Sequence, residues 1–193
     1  PFAGVMALMF STGGVLARYA DEGIRTVLVT CTNGEFGDTL DGVKPGQDGH
    51  EEQAVAQIRL AELWRSCEVL GITHLELLGY HDSGMMGWPS NDAPHAFWHV
   101  DLGEATSALS ALLEKYRPQV VVTYDENGFY GHPDHIQAHR VAVAAAAATW
   151  SPAKWDDPAI SKGAVAEMGR LMAERGIDSF FGDEPPDFLV PNE

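Results

Sequence analysis

Four side chains able to do acid–base or metal chemistry lie close together in the second half of the sequence: Tyr130, His132, Asp134 and His135. An apolar run over 119–123 precedes them and a helix-like segment over 136–149 follows. They are therefore predicted where a strand ends and a helix begins, the edge at which open α/β sheets bind ligands. Two histidines three positions apart can supply two metal ligands, or one ligand and one acid–base group. The alternative is a surface turn that contains two histidines by chance, and the surrounding Tyr, Asp, Gly and Pro residues argue against it.

The elements that must position these side chains are indicated by short apolar runs that alternate with helical patterns. Buried strands are predicted over residues 5–10, 26–32, 75–80 and 119–124. Helices are predicted over residues 14–22, 51–70, 101–116 and 136–149. This alternation, with continuously apolar strands, predicts an α/β fold with a mostly parallel sheet covered by helices on both faces.

The length of the chain limits the number of domains. The 193 residues suffice for one α/β domain with a sizeable core and are too few for two comfortable ones. We expect a single domain over 1–150. Residues 151–193 are expected to form a C-terminal extension, either part of the same domain or a lid, with helical spacing over 162–175.

Composition excludes several classes of partner. The net charge of −16 argues against nucleic acid and anionic membrane, because phosphate binding needs a basic face. No apolar stretch approaches the ~18 residues of a membrane span, and no signal peptide is evident, so a soluble cytoplasmic protein is expected. Cys31 and Cys67 are expected to be buried free thiols rather than a disulfide.

Several segments of the sequence carry a joint resemblance to a known family. The chief one is residues 124–135, Tyr-Asp-Glu-Asn-Gly-Phe-Tyr-Gly-His-Pro-Asp-His. The others are Thr-Gly-Gly-Val-Leu-Ala from position 12, Thr-Cys-Thr-Asn-Gly-Glu-Phe-Gly from 30, Ile-Arg-Leu-Ala-Glu-Leu from 58, Leu-Gly-Tyr-His-Asp-Ser-Gly-Met from 78 and Tyr-Arg-Pro from 116. The ordered set, over roughly residues 5–150, resembles the PIG-L/LmbE-type zinc-dependent N-deacetylases, and within them the branch of the mycothiol deacetylase and conjugate amidase. The resemblance implies a Rossmann-like sheet.

The resemblance also implies roles for the clustered side chains. His135 matches a zinc-binding histidine, and His132 the imidazole that stabilises the oxyanion or protonates the leaving group. Asp134 would orient an imidazole, a role compatible with its alternative as a helix N-cap. Tyr130 would donate its hydroxyl to the oxyanion, or simply pack against the loop.

Substrate contacts are expected from residues elsewhere in the chain. The resemblance places Arg59 on the substrate wall, where its guanidinium suits sugar hydroxyls or a carboxylate; the alternative is a surface pair with Glu62. Glu35 and Asp82 follow strands and are weaker candidates for the same wall. In the loop over 84–99, three aromatic side chains could stack on a sugar or fill a small core of the loop: Trp88, Phe97 and Trp98.

One family motif has no counterpart. The motif Ala-His-Pro-Asp-Asp-Glu, which in the family supplies two zinc ligands and the general base, belongs just after the first strand. Here the first histidine is His50 and the first aspartate is Asp21. Either a short segment is missing from the sequence beside Phe10, or the chain is a non-catalytic relative. We favour the first, because joining a strand to a helix normally takes ~2–6 residues.

The expected function is hydrolysis of an N-acyl group, by family analogy a small acetyl group, from an amino sugar or related amide. A metal-activated water would attack the amide, with Zn²⁺ or another divalent metal as the cofactor. The alternative is a sugar- or glycoside-binding pseudoenzyme that keeps the fold without the metal. The expected partner is a small N-acylated amino sugar or related amide, and a homo-oligomer stays open.

Overall fold

The computed structural model describes residues 5–149 and Arg170, with side chains from Thr12 onward. The chain divides into two compact units, Pro1–Ala153 and Lys154–Glu193, and every described residue except Arg170 belongs to the first. The extension predicted over 151–193, with its helical spacing over 162–175, lies outside the described residues apart from Arg170.

Two parallel strands form the sheet of the described chain. Strand β1 (Val27–Thr32) pairs with β2 (His74–Tyr80), starting at Val27 opposite His74. The register slips near the end, where β2 has one extra residue before Tyr80 pairs with Thr32. Gly79 lies in that extra stretch with φ +75°, a conformation that glycine adopts without steric cost. The strands predicted over 26–32 and 75–80 are therefore confirmed to within a residue.

Helices connect and cover the strands. They are α1 (Val5–Asp21), α2 (Glu52–Leu70), α3 (Leu102–Tyr116), α4 (Gly128–Gly131, a single turn) and α5 (Pro133–Thr149), with short 3₁₀ turns at Pro89–Asp92 and Phe97–His99. Helix α2 ends where Gly71 adopts a left-handed conformation, as its position predicts. Helix α3 begins where the Asp101 side chain accepts a hydrogen bond from the Glu104 amide, a typical N-cap. Helix α5 starts at Pro133, three residues earlier than predicted, because proline is well suited to a first helical position.

Alternate side chains of β1 pack into two different apolar clusters. Leu28 joins Leu63 and Cys67 of α2. Val29 and Cys31 lie against the larger cluster, whose buried members come from α3, α5 and the 3₁₀ turn before them: Phe97, Ala105, Leu109, Leu113, Val141, Ala142, Ala145 and Ala146. Because successive strand residues point to opposite faces, the sheet has helices on both sides, and the predicted α/β fold is confirmed. Cys31 and Cys67 are both free thiols.

The prediction of a strand over 5–10 is wrong. These residues form the first part of α1, which runs without a break to Asp21. A short apolar run does not by itself distinguish a strand from a buried helix. Residues 6–9 read Met-Ala-Leu-Met, which are good helix formers, so the helix predicted over 14–22 extends back through them.

The prediction of a strand over 119–124 is also wrong. The segment has no regular secondary structure, and β1 and β2 pair only with each other within the described part of the chain. Val120 is 74% exposed and Val122 is 55% exposed, whereas Val121 packs against the larger cluster. A strand requires a hydrogen-bonded neighbouring strand, and none of the described segments pairs with this one.

Candidate active site

Three buried side chains meet at the carboxyl end of β2 and the amino end of α5. Asp82 follows β2, while His132 and Asp134 flank the first residue of α5. Each offers a ligand atom, and these atoms lie within 4.8 Å of one another. No other group of three such donors is found in the described residues. The site thus lies at the carboxyl end of β2, whereas the sequence had placed the two histidines at the end of a strand over 119–124, a strand that the described residues do not form.

Hydrogen bonds fix the two carboxylates but leave one oxygen without a donor. Asp82 Oδ1 accepts a hydrogen bond from the Gly84 amide at 2.7 Å. Asp134 Oδ2 accepts one from the Ser83 amide at 3.0 Å. Asp134 Oδ1 is buried and accepts none from any described residue. Such an oxygen usually has a partner, so it indicates a ligand or water that completes the site.

The two buried carboxylates lie close enough for their negative charges to repel each other. Burial, followed by the negative charge of Asp82, raises the pKa of Asp134 to about 8. Between residues 12 and 149, neither Asp82 nor Asp134 forms an ion pair with Lys or Arg. A divalent cation would offset both charges and bind the orphaned oxygen, so the donor set fits a metal.

Burial sets the charge of the His132 ring, and a backbone hydrogen bond sets its tautomer. Burial lowers its pKa, so the ring is neutral at pH 7. The Asp134 amide donates a hydrogen bond to His132 Nδ1 at 3.2 Å. In a neutral ring whose Nδ1 accepts, the proton is on Nε2, which is then a donor. Asp134 therefore contacts His132 through its amide rather than its carboxylate.

His135 lies in a stack of aromatic rings behind His132. Its ring lies 3.9 Å from that of Tyr124 at an angle of 7°, and 4.6 Å from that of His132 at 25°. His135 Nδ1 lies 3.3 Å from the Gly128 carbonyl oxygen. His135 is thus in the same cluster as the carboxylates, although it is not one of the three mutually close donors.

Tyr130 contacts both histidines of this stack. Its ring stands edge-on to His135 at 5.2 Å and to His132 at 6.1 Å, and the residue is 36% exposed. Burial, together with the charges of Asp82 and Asp134, raises its pKa to about 12. The hydroxyl therefore keeps its proton at neutral pH and remains a hydrogen-bond donor.

Glu35 supports Asp82 from the neighbouring strand end. Its Oε2 accepts the Asp82 amide at 2.9 Å, and its Oε1 accepts the Asn33 side-chain amide at 2.9 Å. The residue is buried. One carboxylate oxygen therefore holds Asp82 and the other is held by Asn33, and any contact of Glu35 with substrate stays a prediction.

Arg59 contacts the turn that carries Glu35. It donates a hydrogen bond to the Asp38 carbonyl, and a methyl group added at Gly37 would lie 2.6 Å from its Nε. It also pairs with Glu62 at 2.5 Å, so the local ion pair exists. Its side chain is only 12% exposed. Arg59 thus braces the turn, and its place on the substrate wall stays a prediction.

The three aromatic side chains of the loop over 84–99 differ in their surroundings. Phe97 is fully buried and stacks on Tyr80 at 5.0 Å, so it belongs to the core. Arg140 lies over the Trp98 ring at 4.9 Å. Trp88 is 38% exposed, and its stacking on a sugar stays a prediction.

Sequence reasoning did not single out Ser83, which ties this loop to the site. Its amide holds Asp134, its hydroxyl accepts the Trp98 amide, and its carbonyl accepts hydrogen bonds from Ser90 and Asn91. Ser83 is fully buried. Its position directly after Asp82 was the available signal, since a small polar residue at a strand end can bond to backbone on both sides.

Comparison with known proteins identifies the family. Residues 8–146 match the PIG-L family, described as GlcNAc-PI de-N-acetylase. The chain belongs to the PIG-L family. This match covers every predicted site residue and the cluster around Asp134.

Curated relatives share close to half of their aligned residues with this chain. It is 44% identical over 189 residues to 1D-myo-inositol 2-acetamido-2-deoxy-alpha-D-glucopyranoside deacetylase 1 of Catenulispora acidiphila, covering 90% of this chain and 58% of the relative. The deacetylase of the same name from Thermomonospora curvata is 47% identical over 147 residues, with 74% and 50% covered. The one from Acidothermus cellulolyticus is 44% identical over 192 residues, with 95% and 66% covered. The chain thus spans from half to about two thirds of the length of these relatives.

Solved structures of low sequence identity share the fold. N,N'-diacetylchitobiose deacetylase from Pyrococcus horikoshii aligns with a TM-score of 0.59 at 20% identity, covering 90% of this chain and 52% of that one. GalB, the 4-carboxy-2-hydroxymuconate hydratase from Pseudomonas putida, aligns with a TM-score of 0.59 at 21% identity, covering 81% and 60%. These likenesses support the α/β architecture. No helix among the described residues is long and apolar enough to cross a membrane.

Proposed function

We propose that this chain carries out metal-dependent hydrolysis of an N-acetyl group on an amino sugar. The observation that carries the proposal is the buried cluster of Asp82, His132 and Asp134, with its orphaned oxygen, at the sheet edge of a PIG-L fold. The relatives named as deacetylases of a 2-acetamido-2-deoxyglucopyranoside support an acetylated amino sugar as the substrate class.

The carboxylates of Asp82 and Asp134 would hold the metal, and Zn²⁺ is our candidate. The family resemblance implies His135 as the nitrogen ligand. Its ring stacks on that of His132, the histidine with a nitrogen within 4.8 Å of both carboxylates, and the metal-content test below decides between the two. When bound, the metal supplies a water of lowered pKa as the nucleophile. The buried Asp134 Oδ1 is the atom that this assignment explains, because it needs a partner that the described residues do not provide.

The remaining side chains would handle the substrate's charge and protons. Tyr130, with its protonated hydroxyl, would donate to the amide oxygen as negative charge develops there. His132, with its proton on Nε2, would donate to the oxyanion or the leaving nitrogen. The Asp134 amide keeps the His132 ring in this tautomer. Arg59 would line the substrate wall, whereas Glu35 would act by holding Asp82, which we assign to the metal rather than to the wall.

The test separates the two histidines by metal content and turnover. We expect Asp134→Asn and His135→Ala to lose bound Zn²⁺, measured by atomic emission after gel filtration, and to lose acetate release from an N-acetylglucosaminide. His132→Ala should keep the metal and lose about 10²–10⁴-fold in kcat, the typical contribution of a positioned acid or base. The surface variant Asp92→Asn removes the same charge as Asp134→Asn and should change neither readout.

Each other outcome has a definite meaning. Loss of metal in His132→Ala would make His132 a ligand and refute its donor role. Retention of metal in Asp134→Asn would refute the carboxylate site. If the unaltered protein binds an N-acetylglucosaminide without releasing acetate, and a chelator does not change the affinity, the chain is a sugar-binding pseudoenzyme. A cytoplasmic location and a homo-oligomer stay predictions from the sequence.

A further inference from the structure

The turn before α5 holds one residue in an unfavourable backbone conformation. Phe129 has φ 63° and ψ −66°, a backbone conformation that residues other than glycine rarely adopt. Such outliers persist only where surrounding contacts enforce them, and they are frequent at functional sites. The next residue in the chain is Tyr130, the proposed donor to the oxyanion.

Contacts with Asp125 and Tyr124 hold the turn around Phe129. The Asp125 carboxylate accepts the Phe129 amide at 2.8 Å, and the Asp125 carbonyl accepts the Gly128 amide at 3.1 Å. The Phe129 ring also stands edge-on to Tyr124 at 5.2 Å. Asp125 therefore closes the turn through both its backbone and its side chain.

The conformation of this turn also determines where the ring of Tyr130 lies. A residue with positive φ reverses the chain locally, so the conformation of Phe129 sets the direction in which Tyr130 leaves the turn. The observed direction brings the Tyr130 ring edge-on to both histidines. Without the Asp125 side chain, Phe129 could relax to negative φ, and Tyr130 would turn away from the imidazole pair.

We propose that Asp125 is a positioning residue, whose carboxylate holds Phe129 at positive φ and thereby aims the Tyr130 hydroxyl at the reaction centre. The expected effect of Asp125 on turnover rests on the proposed function. Its expected effect on the position of the Tyr130 ring does not depend on any activity. Asp125 need not touch the substrate. It acts through the backbone of Phe129.

The experiment uses four variants of the full chain. Asp125→Ala removes the acceptor, whereas Asp125→Asn keeps an acceptor oxygen. The double variant Asp125→Ala with Phe129→Gly removes the acceptor but places at 129 a residue that adopts positive φ without strain. Asp101→Ala is the matched control, since its carboxylate likewise accepts a backbone amide, at 3.0 Å, but caps α3.

The first readout is independent of activity. With 3-fluorotyrosine incorporated, the five tyrosines give separate ¹⁹F resonances, and Tyr130→Phe identifies that of Tyr130. In Asp125→Ala we expect the resonances of Tyr19, Tyr80 and Tyr116 to stay in place and that of Tyr124 to shift slightly, because the Phe129 ring contacts it. The Tyr130 resonance should shift and broaden. Asp125→Asn and the double variant should restore it, and Asp101→Ala should leave it unchanged.

The second readout is turnover of an N-acetylglucosaminide. Asp125→Ala should lower kcat by up to ~100-fold, the effect of a misplacement of about 1 Å, with little change in KM. Asp125→Asn should recover most of this loss. An unchanged Tyr130 resonance in Asp125→Ala, or an equal loss of kcat in Asp125→Asn, would overturn the proposal. Absence of acetate release from the unaltered protein would instead refute the proposed function, and the ¹⁹F spectra would still decide the role of Asp125.

Discussion

Gly128 lies where the turn before α5 passes close to the helix. Its φ is +61°, and a methyl group added there would lie 2.8 Å from the Cβ of His135 and 2.9 Å from the Ile136 amide nitrogen. Both the backbone conformation and the contact exclude a larger side chain. This glycine therefore sets how tightly the strained turn and the ring stack can approach one another.

Gly128→Ala should destabilise the fold by about 2 kcal/mol or more, because strain and overpacking add. Gly131→Ala is the matched control, since its φ is +82° but no atom lies within 4 Å of the added methyl group. It should cost only about 1 kcal/mol of backbone strain. Urea unfolding midpoints of both variants measure the difference. Equal costs would show that the approach to His135 does not constrain the fold.

At this scale the sequence named most of the candidate site. Tyr130, His132, Asp134 and His135 lie close together in the chain, whereas Asp82 was only a weaker candidate for the substrate wall. The partners of these side chains could not be predicted. The hydrogen bonds of Asp134 to Ser83 and of Glu35 to Asp82 join residues about fifty positions apart, and only folding decides such pairs.

The segment over 119–124 shows how an element depends on its neighbours. Its apolar residues predict a buried strand, yet Val120 and Val122 are exposed and Val121 alone of the three packs against the core. One face of the segment is therefore covered and the other is open. The periodicity of the segment could not reveal this, because which residues pack over a segment depends on other parts of the chain.

Threonine substitutions along this segment test the one-sided burial. Val121→Thr should lower the free energy of unfolding by about 1–3 kcal/mol, since a hydroxyl would replace a packed methyl group. Val120→Thr and Val122→Thr should each change it by less than about 0.5 kcal/mol. Chemical denaturation gives all three values. A similar loss at every position would mean that both faces are covered, as in the strand predicted from the sequence.

The whole molecule carries a large excess of negative charge. Its 28 acidic residues outnumber its 12 basic ones, which gives a net charge of −16. Ion pairs of Lys and Arg among the described residues, such as Arg18 with Glu22 and Lys115 with Glu76, are largely exposed, and exposed pairs contribute little to stability. Mutual repulsion of the remaining carboxylates therefore opposes the compact state.

Added salt should stabilise this protein. Raising NaCl from ~0.01 to ~0.15 M shortens the Debye length from about 30 to about 8 Å, which screens the repulsion. We expect the Tm to rise by about 2 °C or more, as for a gain of at least ~0.5–1 kcal/mol in a domain of this size. Differential scanning calorimetry measures it, with sucrose at equal osmolality as the uncharged control. A Tm that falls with salt would show that favourable ion pairs outweigh the repulsion.

The sequence by itself determined the features that depend on neighbours along the chain. Periodicity and capping residues located α2, α3, most of α5, and the two strands that form the sheet. The segment before α5 placed two histidines, an aspartate and a tyrosine at one helix start. The charge excess is likewise a property of composition alone.

The tertiary structure decided what depends on distant partners. It made residues 5–10 helical and left 119–124 without a strand, because a strand exists only beside another strand. It also brought Asp82 close to His132 and Asp134, which completes the donor set. The physical reason is common to these cases: hydrogen-bond pairing and shared burial act between segments that only the folded chain brings together.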